Sequence, residues 1–250
     1  MQRKRLLVTL TIAIIVSLPA LPAEVIPATT IVLNTADVPP DSTQDHTGIS
    51  DGVLTEAFRR IGIPMRIVNL PSERALINAD EGTDDGNFVR IAEINKFYPN
   101  LIQVPEDLLK FEFVVFSKRR NFKPAGWDSL KPYNVGIVRG WKILEENIKG
   151  TKSLTEVKDE RILFALLDSD KVDMVVHDRV QGLVLLKKLK YRDIHILRPP
   201  LAVRNMYLHL NRKHSRLIPM LTEAIRGMKR DGTYDHIVKE VLDAYLQGRR

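Results

Sequence analysis

Residues 133–178 read YNVGIVRGWKILEENIKGTKSLTEVKDERILFALLDSDKVDMVVHD. Tyr133 to Val138 is expected as a strand and Trp141 to Ile148 as a helix. Leu154 to Val157 is a second short strand, and Asp159 to Leu167 a second helix. Val172 to His177 is an almost unbroken apolar run of the kind that a helix-covered strand needs. Arg179 to Leu189 (helix) and Ile194 to Leu197 (strand) complete the series. Strands alternating with helices predict an α/β fold with largely parallel sheets.

The same alternation continues outward. On the N-terminal side, Thr29 to Asn34 is a first strand and Thr35 to Thr47 a polar loop carrying Pro39, Pro40 and His46. Ile49 to Ile61 carries Val53, Leu54, Ala57, Phe58 and Ile61 at helical spacing, with Ser50 or Asp51 as its cap and Gly62 as its stop. Met65 to Val68 is a strand, Ser72 to Asp80 a helix capped by Ser72, and Gly86 to Ile91 a strand. Ala92 to Tyr98 is a short helix stopped by Pro99, and Leu101 to Val104 and Phe111 to Ser117 are further strands. On the C-terminal side, Met206 to Leu210 is a strand, followed by amphipathic helices over Arg216 to Arg230 and Tyr234 to Leu246.

Two stretches break the pattern. Lys118 to Lys131 is basic and aperiodic, with Pro124 and Gly126, and Arg198 to Arg204 contains Pro199 and Pro200. Read as crossovers, they make the chain leave one lobe, build another and return. The expected division is residues 24–118 with 204–250 as lobe 1 and 119–203 as lobe 2. A middle segment of roughly 80 residues suffices for a small α/β lobe.

Residues 1–23 carry a different message. Arg3, Lys4 and Arg5 precede an almost unbroken apolar run from Leu6 to Leu18, and Pro19 to Ala23 supply helix-breaking and small residues. This is the layout of a secretory signal peptide, with cleavage expected after Ala23, or after Ala20 or Ala28. The other reading is an uncleaved anchor, although the run is short for a span of about 20 residues. Cleavage would take three positive charges from the formal +7, leaving +4. With no cysteine in 250 residues, disulfides, thiolate nucleophiles, cysteine metal sites and a lipoprotein anchor are all excluded. The basic residues do not interleave with aromatic ones, so no nucleic-acid partner is expected. Six scattered histidines show no ligand spacing, so neither a metal nor a cofactor is expected. The chain has no nucleophile elbow, Walker loop, HExxH or EF-hand loop.

Several segments, in this order, resemble the type II periplasmic solute-binding proteins, in particular the extracellular family 3 group linked to amino-acid uptake. They are GISDGVLTEAFRRIGIP (48–64), LPSERALINADEGTDDGNFVRI (70–91), YPNLIQVPEDLLKFEFVVFSKRRNF (98–122), VGIVRGW (135–141), LLDSDKVDMVVHDR (166–179) and GTYDHIVKEVL (232–242). The resemblance spans nearly all of the mature chain. It implies a two-lobed fold, each lobe a mostly parallel sheet flanked by helices, with two hinge crossovers and a cleft that closes on a ligand. It also implies a periplasmic, monomeric, non-enzymatic protein that hands a small-molecule ligand to an ABC permease or signals to a membrane sensor. Two departures stand out. Gly140 is followed by Trp141 where the family usually has Ser or Thr, and AEINKFYPNLIQVPEDL (92–108) lacks the family's carboxylate-holding Arg.

The candidate ligand-binding residues are Arg74, Arg90, Gly140, Trp141 and Asp178. Arg suits a carboxylate or phosphate because its planar fork gives two charge-assisted bonds. Arg74 and Arg90 follow strand or turn ends, which line the cleft in open α/β sheets; surface ion pairs with Glu73 or Asp85 are the alternative. Gly140 and Trp141 sit at a strand-to-helix junction whose free N–H groups suit an anion. Trp141 either stacks on a ligand or packs between lobes. Asp178 follows the buried strand where the family often binds an amino group, or it caps the next helix. Glu73, Asp84, Asp85 and Asp178 are the groups an enzyme on this fold would draw on.

Overall fold

The computed structural model describes residues 30–36 and 38–246. The expected signal peptide, residues 1–23, lies outside the described residues. Among the described residues eight strands form one sheet: β1 (Ile31–Thr35), β2 (Met65–Asn69), β3 (Gly86–Arg90), β4 (Leu101–Ser117), β5 (Asn134–Val138), β6 (Ser153–Val157), β7 (Met174–Asp178) and β8 (His195–Asn211). Seven α-helices among the same residues flank it: α1 (Ile49–Arg60), α2 (Ser72–Glu81), α3 (Lys142–Asn147), α4 (Glu160–Asp168), α5 (Arg179–Leu189), α6 (Ile218–Asp231) and α7 (Thr233–Leu246). Among the described residues no helix is long and apolar enough to cross a membrane.

The strand order is β2-β1-β3-β8-β4-β7-β5-β6. β1 runs parallel to β2 and β3, and β5 parallel to β6 and β7. Each half is therefore a parallel triplet, as βαβ connections demand. Between the triplets lie β4 and β8, antiparallel to each other and to their outer neighbours. This is the two-lobed α/β architecture expected from the alternation.

β4 and β8 differ from the sequence reading. Each was expected as two short strands; each is one 17-residue strand. The ladder between them slips at three places, between Gln103 and Asp107, Asp107 and Leu109, and Phe113 and Val115. Pro105 falls in the first slip, and Pro199 and Pro200 oppose the third. Proline lacks the N–H a ladder needs, so a long strand keeps it at a bulge. The prolines mark irregularities within strands rather than their ends. The basic segment after β4 lies against the second half, where Lys118, Arg119 and Arg120 pair with Asp168, Asp170 and Asp173 at 3.2, 2.5 and 2.8 Å. β4 pairs with β7 only from Phe113 to Ser117, and β8 with β3 only from Tyr207 to Leu210.

Two helix starts also differ. Pro71, not Ser72, is the N-cap of α2, and the Ser72 hydroxyl is buried without a partner. Gly48 caps α1, and Asp51 stands in the first turn. Its carboxylate accepts from the Gly48 and Thr43 N–H groups at 2.9 and 3.0 Å and from the Ser42 hydroxyl at 2.7 Å. One buried acid therefore folds the loop after β1 back onto α1, which sets that loop at the mouth of the cleft.

Candidate functional site

The carboxyl ends of the parallel strands from both halves converge on one cleft, the usual ligand position in open α/β sheets. The loop after β1 brings Asp41, the end of β3 brings Arg90, the β5–α3 turn brings Gly140 and Trp141, and α5 brings Gln181 to a shared pocket. The central strands add Phe111, Phe113 and Met206 to its walls.

Arg90 is the pocket's buried cation, only 7% exposed. It follows Val89, whose φ of +59° is unusual for a β-branched residue. The register of β3 slips there against β8, and the bulge re-aims the strand end carrying Arg90. The Arg90 Nε donates to Asn87 Oδ1 at 2.5 Å and Nη2 to the Ser72 carbonyl at 3.3 Å. No carboxylate among the described residues lies within ion-pair distance, and burial pulls its pKa down to about 10. Tyr98 and Glu73 offset that burial only through space, and a relay of amides links the guanidinium to a further acid. Asn87 Nδ2 donates to Asn34 Oδ1 at 2.6 Å, and Asn34 Nδ2 donates to the buried Asp84 carboxylate at 2.7 Å. Every amide points its oxygen toward the cation and its N–H toward the anion, a polarised chain that fixes the guanidinium without neutralising it. Asn87→Asp places a carboxylate directly on Arg90. The expected outcome is a higher Tm for the ligand-free protein and at least a tenfold loss of carboxylate affinity, read by thermal unfolding and calorimetry.

Asp41 faces the pocket from the first half and is 5% exposed. Burial first, and then the nearby Asp178 charge, raise its carboxyl well above the usual range. Gln181 Nε2, from the second half, donates to Asp41 Oδ2 at 2.5 Å. A second bridge joins the halves at the rim. Lys142 donates to Glu73 at 2.9 Å and to Glu145 at 2.8 Å, while Tyr98 donates to Glu73 at 2.9 Å. Burial alone would lower the Lys142 pKa; hydrogen bonds to Glu145 and Glu73 outweigh it and raise the value.

Gly140 brings the halves into contact. Its φ is +88°, and a Cβ there would lie 2.6 Å from the Glu73 backbone nitrogen. Only glycine permits both the left-handed turn and the close approach. Trp141 stands at the start of the helix that follows this turn. It lines the pocket and packs on Phe111, Phe113 and His177 at centroid distances of 6.1, 5.9 and 4.5 Å.

Of the five expected residues, Arg90, Gly140 and Trp141 share the pocket. Arg74 is exposed on α2 and lines a separate outer groove with Arg139 and Lys158. Asp178 lies behind the pocket wall as the N-cap of α5. It accepts from the Val180, Gln181 and Glu112 N–H groups at 2.9, 3.1 and 3.0 Å, and burial pushes its pKa up to about 6. The sequence reading missed Asp41, Gln181 and Lys142. Asp41 carried one usable signal, a carboxylate in the loop leaving the first strand's carboxyl end. No group of three metal-ligating side chains occurs among the described residues.

No family model matches the chain. A relative from Shewanella oneidensis, an uncharacterized protein, is 23% identical over 209 residues, covering 80% of this chain and 78% of that one. Among solved structures, the substrate-binding protein of an amino acid ABC transporter aligns with a TM-score of 0.72 at 19% identity, over 86% of this chain and all of the other. An ancestral arginine-binding protein bound to arginine aligns at 0.73 and 20% identity, over 84% and 97%. A histidine kinase sensor domain with similarity to periplasmic binding proteins aligns at 0.76 and 16% identity, over 86% and 96%. The chain has the type II periplasmic binding protein fold, and these neighbours are binding and sensor proteins.

Proposed function

We propose that the chain is an exported, periplasmic solute-binding protein that captures a small carboxylate-bearing, amino-acid-like ligand by hinge closure and delivers it to an ABC permease, without catalysing a reaction. The observation that carries this reading is Arg90: a buried guanidinium at the cleft with no carboxylate partner among the described residues. A ligand carboxylate pairs with that guanidinium through two charge-assisted bonds.

In this account residues 104–112 and 198–206 are the hinge, and Arg74 on the rim adds to the field that draws an anion inward. The ligand docks on Arg90 in the first half. The second half then closes over it, seating Gly140 on the Ser72–Glu73 backbone and Trp141 over the pocket. Asp178 positions Gln181 by capping α5. Closure follows from ligand binding because Arg90 and the second half meet the ligand together only in the closed form. The Lys142–Glu73 bridge contributes to that form alone. Lys142→Met is therefore expected to weaken ligand binding roughly tenfold, about 1.4 kcal/mol, with the ligand-free Tm little changed.

Calorimetric titration against amino acids, small carboxylates, amines, sugars and phosphate compounds tests the proposal. A carboxylate-bearing compound is expected to bind with one-to-one stoichiometry; binding confined to sugars or amines contradicts it. The likeness to a kinase sensor domain favours a second reading, a ligand-sensing module acting on a membrane partner. Deletion separates the two. Loss of ligand uptake marks the transport role, and loss of a transcriptional response with uptake intact marks the sensing role.

A further inference from the structure

The halves also meet along a groove outside the pocket. Gly140 lies on the Ser72–Glu73 backbone, so the next residues in sequence, Arg139 in one half and Arg74 in the other, flank that contact. Neither lines the pocket that holds Arg90. The Arg139 N–H donates to the Val157 carbonyl at 2.8 Å, which sets Arg139 level with Lys158 at the carboxyl ends of β5 and β6. Arg74, Arg139 and Lys158 line one groove of about 340 Å³, together with Pro71 and Ile77.

Charge in this groove is unbalanced. Glu73 is the one acid that lines it, and its carboxylate already accepts from Lys142 and Tyr98 at 2.9 Å each. Arg139 is shared with Glu156 at 3.3 Å. Arg74 and Lys158 have no ion-pair partner among the described residues. These two open cations belong to opposite halves. Closure therefore brings like charges onto one groove, and their repulsion opposes it until an anion sits between them.

We infer that Arg74 and Lys158, with Arg139 beside them, form a second anion site outside the ligand pocket, that closure completes it, and that it takes a free phosphate-class oxyanion. A carboxylate presents its two oxygens along one edge and suits a single guanidinium fork. A tetrahedral oxyanion has oxygens on every side, so it accepts from Arg74 in one half and Lys158 in the other at once. Its two charges answer the two open cations. The groove has room for roughly ten waters, enough for the anion to enter with part of its hydration. Arg74 and Lys158 are exposed, so the affinity falls as salt rises. Because the two cations share an anion only when the halves are together, phosphate favours the closed form. This site stands whatever the Arg90 pocket holds.

The test is calorimetric titration of inorganic phosphate into the wild type, Arg74→Gln, Lys158→Gln, Arg90→Met and Gly140→Val, with sodium chloride holding the ionic strength constant. The wild type is expected to bind phosphate with one-to-one stoichiometry. Arg74→Gln and Lys158→Gln should each weaken that binding at least about fivefold, with circular dichroism unchanged. Arg90→Met should keep phosphate affinity within about twofold, the mark of a site separate from the pocket. Gly140→Val, whose side chain meets the Glu73 backbone and holds the halves apart, should weaken phosphate at least about fivefold although every cation of the groove remains. A wild type that responds to phosphate no more than to chloride overturns the site. So does phosphate binding that is lost in Arg90→Met or kept in both Arg74→Gln and Lys158→Gln, since the anion then sits elsewhere. Binding that survives Gly140→Val overturns completion by closure. Carboxylate capture is read from the separate ligand titrations, and its failure leaves the phosphate result intact.

Discussion

Gly140→Val is expected to leave both halves folded and to weaken ligand binding by at least about 100-fold. A Cβ at this position meets the Glu73 nitrogen at 2.6 Å and the Glu73 Cα and Ser72 carbonyl carbon at 3.0 Å. These are backbone atoms of the other half, so no rotamer change relieves the contact; separation of the halves does. The clash therefore falls on the closed form alone. A penalty of about 3 kcal/mol there shifts the closure equilibrium by two decades. The valine also strains a φ of +88°, which lowers the stability of either form by about 1–2 kcal/mol. Circular dichroism should show retained secondary structure, and small-angle scattering should report a larger radius of gyration than the wild type at equal ligand concentration. Unchanged affinity would mean that the contact between Gly140 and Glu73 is not part of the ligand-bound state.

Arg90→Met separates recognition from folding. Two charge-assisted bonds to a carboxylate are each worth about 1.5–3 kcal/mol, so their loss should reduce carboxylate affinity by about 100-fold or more. Stability should respond differently. Burial lowers the Arg90 pKa from its ordinary value to about 10, which corresponds to about 3 kcal/mol against the charged form. The sign is clear for a base with a lowered folded pKa. Arg90 is charged in both folded and unfolded states at neutral pH, so the penalty is fully present and fades only above pH 10. Methionine removes that penalty and loses the bonds to Asn87 and the Ser72 carbonyl, two effects of similar size. The ligand-free Tm is expected to stay within a few degrees of the wild type, measured by calorimetry. A collapse in Tm would assign Arg90 to the structural framework instead of the site.

The strand-and-helix alternation was legible because both periodicities depend on which face is buried, and burial leaves a local pattern. α5 is an instance: the expected bounds, Arg179 to Leu189, are those observed. The continuity of β4 and β8 was hidden because bulges that accommodate Pro105, Pro199 and Pro200 arise from pairing between distant segments. The site was legible in part for the same reason. Arg74 could have been set aside from the wheel of α2, where Ser72, Ala75, Leu76 and Ala79 form the buried face and Arg74 lies off it. Arg90 could not be told from a surface arginine by its neighbours in sequence, since its relay to Asp84 passes through Asn34, 50 or more positions from either. Asp41 sits in an aperiodic loop, and its meaning depends on Gln181, 140 positions away. Asp178 fitted both a ligand contact and a cap, and it caps α5 with two of its three backbone donors.

In the proposed function the cleft holds a carboxylate on Arg90. Thermal unfolding of the wild type and Arg90→Met, side by side against a panel of amino acids and small carboxylates, tests it most directly. At about 100 times the dissociation constant a bound ligand stabilises by about 2.7 kcal/mol. At least one carboxylate is expected to raise the wild-type Tm by several degrees and to leave Arg90→Met unmoved. A panel that shifts neither protein, or one that shifts both equally, contradicts it.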